Sequence, residues 1–381
     1  PQFCQKLVGA VLKSEIEGDL RHIHAEPPNL RLILRGGGSE FDDASSYSQC
    51  CQLGRVKTDA QEAQRAVSWI ASGLAGAYSG VIPAQKEILP ACKHNFAIFA
   101  AGDENILVPA IVALRSFGLH LNNAALYYVA GKNEISQAGQ AMLERHGITL
   151  LTSTYHHDFK ASYRSSPPAA YLQLDGQRIL ADKGYFFSLG IQPDTLCIKP
   201  FNTDDIFEKT RFIAAPRNII QRISWGLKVA GSGISYSPSW KHLDDPGFIP
   251  SLLFCNHKGL AQTSFLERAK EYFYEIGAQN LTLNEETLLH YFHFVQQDFC
   301  AKIDEGYSFL PNTNTTTTIY SIHYDYVAKP WKPAPNGWTA RVAILYNVWF
   351  RAAKQLLETG TFDTFIAELK KKKNITGIEY L

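Results

Sequence analysis

From Phe96 to Leu151 the chain alternates short apolar runs with segments whose apolar residues recur at helical spacing. Phe96-Ala-Ile-Phe-Ala-Ala101 has the composition of a buried strand. Gly102-Asp103-Glu104-Asn105 is a turn, and Val108 to Phe117 is apolar with a helical period. Ala124 to Val129 is a second buried strand, and Ser136 to His146 is helical until Gly147 stops it. Ile148 to Leu151 is a third strand. Strand, helix, strand, helix, strand with short loops predicts an α/β fold: an open, mostly parallel sheet flanked by helices. Ligands of such sheets bind beyond the carboxyl ends of the strands, which makes the 102–105 turn a candidate site on topology alone.

Beyond this block the pattern is looser. Tyr185 to Ile191 reads as a buried strand ending at Gln192-Pro193-Asp194, and Pro250 to Cys255 as another. Helices are expected over Ser264–Ile276 and Glu285–Ala301, and a strand over Ile319–Tyr324 leading into Lys329-Pro330-Trp331. Thr339 to Leu357 is an amphipathic helix with Val342, Leu345, Tyr346, Trp349 and Phe350 on its apolar side. The expected organisation is an N-terminal appendage over 1–92, a core domain over 93–335 and a helical tail over 336–381 that packs on the core. Gly36-Gly37-Gly38-Ser39 in the appendage lacks the G-K-[ST] ending of a phosphate loop.

Composition narrows the function classes. With 45% hydrophobic residues, the 381-residue chain is not intrinsically disordered. The 37 Lys+Arg against 36 Asp+Glu argue against a dedicated nucleic-acid binder, which carries a strong basic excess. No stretch approaches the roughly 18 apolar residues of a membrane span, and Pro1 to Gln5 lacks the pattern of a signal peptide. Seven cysteines without a C-x-x-C pair read as reduced, mostly buried thiols of a cytosolic protein. Cys50-Cys51 reads as two unrelated thiols, and the N-x-S/T triplets at Asn280, Asn314 and Asn374 are at chance frequency.

One ordered set of residues carries chemistry. Asp103 and Asn105 follow the first strand and suit hydrogen bonds to a nucleobase or ribose. Asp194 ends a central strand, His323 ends a late one, and Lys329 follows six residues on. A carboxylate, an imidazole and a lysine suit a diphosphate with a divalent cation, and oxygen and nitrogen ligands favour Mn²⁺ or Mg²⁺. Each also has a plain structural reading: Asp194 as a cap, His323 as a satisfied buried histidine, Lys329 as a surface lysine, Asp103 and Asn105 as turn residues. His156-His157-Asp158 and the His290/His293 pair lack a third ligand at metal spacing and read as structural.

Phe99-Ala-Ala-Gly-Asp-Glu-Asn-Ile-Leu-Val-Pro-Ala-Ile-Val-Ala-Leu-Arg-Ser116 resembles the opening strand, nucleotide loop and first helix of glycosyltransferase family 8. Ile322-His-Tyr-Asp-Tyr-Val-Ala-Lys-Pro-Trp331 is similar to that family's closing H-x-x-G-x-x-K-P-W segment, and Leu189 to Cys197 falls where the family has its D-x-D strand end. The resemblance spans roughly residues 94 to 333. It implies a GT-A fold, a UDP-sugar donor, Mn²⁺ or Mg²⁺, and transfer of a hexose with retention to a hydroxyl of a glycan, lipid-linked saccharide or protein. It assigns Asp194, His323 and Gln192 to the metal, with Asp194 also counted among the catalytic groups. Asp103, Asn105, Lys329 and Gln192 go to the nucleotide, Asp103 and Asn105 at its base or ribose and Lys329 at its diphosphate, and Glu285 lies near the reacting carbon.

The departures are specific. The first carboxylate of D-x-D is Gln192, a neutral amide, which leaves the metal weakly held or dispensable. The glycine of H-x-x-G is Tyr326, the family's sugar-side Asn segment is Phe248-Ile249-Pro250-Ser251, and its sugar-side Arg is Gln173. Asn284-Glu285-Glu286 replaces a D-Q-D helix start and also reads as an ordinary helix N-terminus. The rival reading is a catalytically silent nucleotide-sugar-binding protein serving as scaffold or partner subunit. A second rival, a nucleotidyltransferase, needs a basic glycine-rich segment where this chain has Gly102-Asp103-Glu104-Asn105. The expected location is cytoplasmic. The run Lys370–Lys373 reads as a solvated helix end, with peripheral contact to anionic lipid as the functional alternative. The sequence leaves the oligomeric state open.

Overall fold

The structure, a computed structural model, describes residues 93–121, 124–155, 171–222, 246–276, 285–295, 299–310, 318–325, 329–332 and 340–371. The appendage over 1–92, Gly36–Ser39, Cys50-Cys51, His156–Asp158, Tyr326 and the three N-x-S/T asparagines lie outside the described residues. The chain divides into two compact units. One comprises the described residues between Lys93 and Phe309 with Tyr320–His323; the other comprises the described residues of Leu310–Ile319 and Tyr324–Leu381.

The first unit is built on a mixed sheet of eight strands. These are β1 (Phe96–Ala101), β2 (Ala125–Gly131), β3 (Ile148–Ser153), β4 (Phe187–Ile191), β6 (Ile213–Arg222), β7 (Pro246–Phe248), β8 (Leu252–Asn256) and β9 (Cys300–Ile303). The order is β3-β2-β1-β4-β8-β6-β7, with β9 also paired to β6. The β3-β2-β1-β4 half is parallel, and β8 runs antiparallel to β4. A separate two-stranded ribbon pairs β5 (Thr195–Cys197) with β10 (Ser321–His323).

Helices cover both faces of the parallel half because its strands are apolar on both sides. On one face, Leu126 of β2 lies against Gly118 of α1 (Leu107–His120). On the other, Ala97, Phe99, Val129 and Leu151 pack with Leu172 and Leu180 of α3 (Leu172–Asp182). Between these two helices in the chain, α2 (Gln137–Arg145) joins β2 to β3. Phe99 is fully buried in a slot that only glycines allow. It faces Gly190 across the β1–β4 ladder, and a Cβ on Gly176 of α3 would overlap its ring.

The antiparallel half has its own core. Ile213, Ala215, Leu253 and Cys255 pack with residues of α6 (Phe265–Ile276) and α7 (Glu285–Val295), among them Phe265, Phe273, Leu289 and Phe292. Two short helices, α4 (Asp204–Phe207) and α5 (His257–Ala261), complete this unit. The helix expected over Glu285–Ala301 ends at Val295, and Cys300–Ile303 is strand β9, parallel to β6 from Ile213↔Cys300 to Pro216↔Ile303. Phe299 and Cys300 continue the apolar period of α7, and no Gly or Pro marks the break. The ladder bond from Ile213 N–H to Phe299 O decides the outcome.

In the second unit, α8 (Ala340–Leu356) and α9 (Thr359–Lys371) form the helical tail. Leu345, Tyr346, Trp349 and Phe350 are buried, as their spacing predicts. Trp331 packs on Trp349 at 4.9 Å between ring centroids, and Tyr324 Oη donates to Leu345 O at 2.9 Å. No helix among the described residues is long and apolar enough to cross a membrane.

Candidate active site

The order β3-β2-β1-β4 has a reversal between β1 and β4: the chain steps outward from β1 to β3, then returns to the other side of β1. At such a switch point the two following loops separate and leave a crevice at the carboxyl edge. Ala100 and Ile191 are partners in the parallel ladder, so Asp103 and Asn105 after β1 emerge beside Gln192 and Asp194 after β4.

The loop after β1 is ordered by its own side chains. Asp103 caps a short 3-10 turn over Glu104–Ile106. Its two carboxylate oxygens accept from Asn105 N–H at 3.0 Å and Asn105 Nδ2 at 3.1 Å. Tyr128 Oη donates to Asp103 O at 2.8 Å. Burial, with Asp103 close by, pushes the Tyr128 phenol well above its usual range, so it remains a donor. The plain turn reading of Asp103 and Asn105 is thus realised, and both stand at the crevice edge.

The turn after β4 is equally determined. Pro193 fixes the backbone at the second turn position. Thr195 donates to Gln192 O through its N–H at 3.1 Å and its hydroxyl at 2.6 Å. Gln192 N–H donates to Ser251 O at 2.9 Å. The Ser251 hydroxyl lies 2.5 Å from that of Ser308. Gln173, buried, donates from Nε2 to Pro250 O at 2.9 Å. The Phe248–Ser251 segment and Gln173 therefore hold the turn rather than present polar groups to solvent. Thr195 and Ser251 hold this turn by hydrogen bonds; a Thr three residues after Gln192, across Pro-Asp, was the available signal for the first of them.

His323 reaches this turn through the ribbon. It pairs with Thr195 across the β5–β10 ladder, and its N–H donates to Phe309 O at 2.9 Å on the other edge. Its Nε2 lies 3.5 Å from Asp194 Oδ1, with the imidazole 3% and the carboxylate 13% exposed. Neither ring nitrogen of His323 has a hydrogen-bond partner. A buried imidazole without partners is costly, so it marks a place where a ligand would satisfy it. Among the described residues no group of three or more His, Cys, Asp or Glu is placed to hold a metal ion. Asp194 and His323 thus face each other, with Gln192 in the same turn as Asp194.

Glu285 opens α7, and its side chain lies outside the described residues. Lys329 belongs to the second unit, where its Nζ is 3.8 Å from Asp325 Oδ1. Cys197, Cys255 and Cys300 are buried free thiols whose pKa values burial raises, which makes them poor nucleophiles and ligands.

The helix histidines are structural, as their spacing suggests. His290 Nε2 accepts from Phe248 N–H at 3.2 Å, and His293 Nδ1 accepts from Cys300 N–H at 3.2 Å. Burial lowers the His290 pKa to about 3. The unfolded chain therefore binds this proton more readily. The stability His290 contributes is complete above about pH 6.5 and is lost as pH falls toward 3, by about 2 kcal/mol at pH 5. Denaturation midpoints of the wild type and His290→Gln between pH 8 and pH 5 measure it: the wild type is expected to lose more stability than the variant.

No family model matches the chain, and no curated protein matches it in sequence. Solved structures do match. The galactosyltransferase LgtC, in complex with donor and acceptor sugar analogues, superposes with a TM-score of 0.51 at 14% identity, covering 69% of this chain and 96% of that one. The fold is that of a GT-A glycosyltransferase. Two other glycosyltransferases match this GT-A fold less closely. GlyE of Streptococcus pneumoniae has a TM-score of 0.46 at 15% identity, over 74% of this chain and 64% of that one. Mouse xyloside xylosyltransferase 1 has 0.44 at 12%, over 62% and 99%.

Proposed function

We propose that this chain is a glycosyltransferase that moves a hexose from a UDP-sugar to a hydroxyl of a glycan, lipid-linked saccharide or protein, with retention. The observation that carries the reading is the Asp194–His323 pair beside the β1/β4 switch point, with both ring nitrogens of a buried His323 unsatisfied. The carboxylate, imidazole and amide oxygen of Asp194, His323 and Gln192 have the donor chemistry of a hard divalent cation, Mn²⁺ or Mg²⁺. Two strong donors are few for such an ion, so its remaining ligands would come from diphosphate oxygens and water. When bound, the cation supplies positive charge that offsets the diphosphate as it leaves.

The chain's own residues do the rest. Asp103 and Asn105 bind the nucleoside at the edge of β1. Glu285, at the start of α7, stabilises the oxocarbenium-like centre. The acceptor hydroxyl attacks from the face the diphosphate vacates. Contact with anionic lipid through the C-terminal lysines, and a cytoplasmic location, belong to the same proposal.

The second reading is a silent nucleotide-sugar binder, and the neutral Gln192 at the position of a carboxylate favours it. Incubation with UDP- and GDP-sugars and Mn²⁺ distinguishes them. Slow release of UDP from a UDP-hexose is the expected result. Binding without hydrolysis or transfer would favour the silent binder, and absence of binding would sink both.

A further inference from the structure

Glu104 is the second carboxylate in the loop after β1, and it turns away from Asp103 and Asn105. Its Oε2 accepts from Ser136 N–H at 2.5 Å, and its Oε1 accepts from Ser136 Oγ at 2.6 Å. Ser136 is the N-cap of α2, and its Oγ also accepts from Gly139 N–H at 3.1 Å. The carboxylate thus sits over the first turn of α2, where the helix dipole favours negative charge. The approach is close: a Cβ on Gly139 would come within 2.9 Å of Glu104 Oε1. One further bond, from Tyr128 of β2 to Asp103 O, ties the same loop to the neighbouring strand. The loop after β1 is therefore held by Tyr128 of β2 and by the β2–α2 connection as well as by its own side chains.

We infer that Glu104 and Ser136 are positioning residues for nucleoside recognition: their bidentate brace holds Asp103 and Asn105 in the pose that meets the base and ribose. The inference rests on the nucleotide-sugar reading and deepens it. A loop anchored only at its two ends would sample many conformations, and ordering it on binding would weaken affinity. The brace removes that cost before the donor arrives. It acts on the nucleoside end alone, because the diphosphate end is assigned to Asp194 and His323. The two ends can therefore be separated by ligand.

Dissociation constants for UDP and for Mn²⁺-pyrophosphate, measured on wild type, Glu104→Ala, Glu104→Gln and Gly139→Ala, test this. Glu104→Ala is expected to weaken UDP by about tenfold and leave pyrophosphate unchanged. Glu104→Gln, which keeps an acceptor for Ser136 N–H, should recover part of the loss. Gly139→Ala, which crowds the carboxylate from the helix side, should reproduce it. With donor turnover as readout, KM rises while kcat holds. A merely structural role would lower the melting temperature without separating the two ligands. Unchanged UDP affinity in Glu104→Ala, while Asp103→Ala loses it, would overturn the brace and leave the nucleotide reading intact. Absence of UDP binding by the wild type would overturn both.

Discussion

Asp194→Ala is expected to reduce donor turnover by about 10²- to 10³-fold while the protein stays folded. Charge stabilisation of a leaving diphosphate is worth several kcal/mol, and each 1.36 kcal/mol is a factor of ten. Asp194 follows β4 in a turn held by Thr195 and Ser251, so removing its carboxylate leaves the backbone bonds of that turn in place. His323→Ala should have a comparable effect, since the two side chains face each other at 3.5 Å. The converse change is more discriminating. Gln192→Asp adds a charge to a donor set that has one carboxylate, and ligand charge tunes affinity for hard cations. It should lower the Mn²⁺ concentration for half-maximal turnover by about tenfold. Steady-state rates across a Mn²⁺ titration read all three variants, and a Gln192→Asp curve identical to wild type would count against Gln192 as a metal neighbour.

The second large effect is on stability. Phe99→Ala empties a fully buried aromatic position at the centre of the parallel sheet. Such truncations cost about 3–5 kcal/mol, the lost burial plus the cavity left behind. For a chain of this size that corresponds to a fall in melting temperature of about 5 °C. Collapse is limited where the slot is walled by Gly176 and Gly190, which have no side chains to move in. Phe99→Leu should lose less than half as much. A Phe99→Ala protein melting within about 2 °C of wild type would mean the slot is not filled as described.

Much of this architecture is legible in the sequence, for local reasons. β1, α1, β2, α2 and β3 announce themselves because each strand is a short apolar run, each helix is apolar at helical spacing, and Gly147 marks the end of α2. The signal fails where chain-distant pairing decides. β6 carries Pro216 and Arg217, which read as loop residues, yet Pro216 sits where the strand passes from β9 to β7 as partner. Helix α3 contains Gly176, which lowers helix propensity locally and is there because Phe99 occupies the space. The candidate site divides in the same way. Asp103, Asn105, Gln192 and Asp194 are found from the sequence because they follow strands. The proximity of His323 to Asp194 comes from β5–β10 pairing, to which no local pattern points. The Glu104 brace was also hidden, because its partner Ser136 lies on a different loop.

The central claim is that Asp194 and His323 form a diphosphate site at the β1/β4 switch point. Thermal stabilisation by UDP and UDP-sugars, with and without Mn²⁺, on wild type and His323→Ala, tests it most directly. A ligand at 100 times its dissociation constant adds about 2.7 kcal/mol to the folded state, enough to raise the melting temperature by several degrees. The expected result is a Mn²⁺-dependent rise in the wild type that is lost in His323→Ala. An equal rise in the variant, or none with any nucleotide, would contradict it.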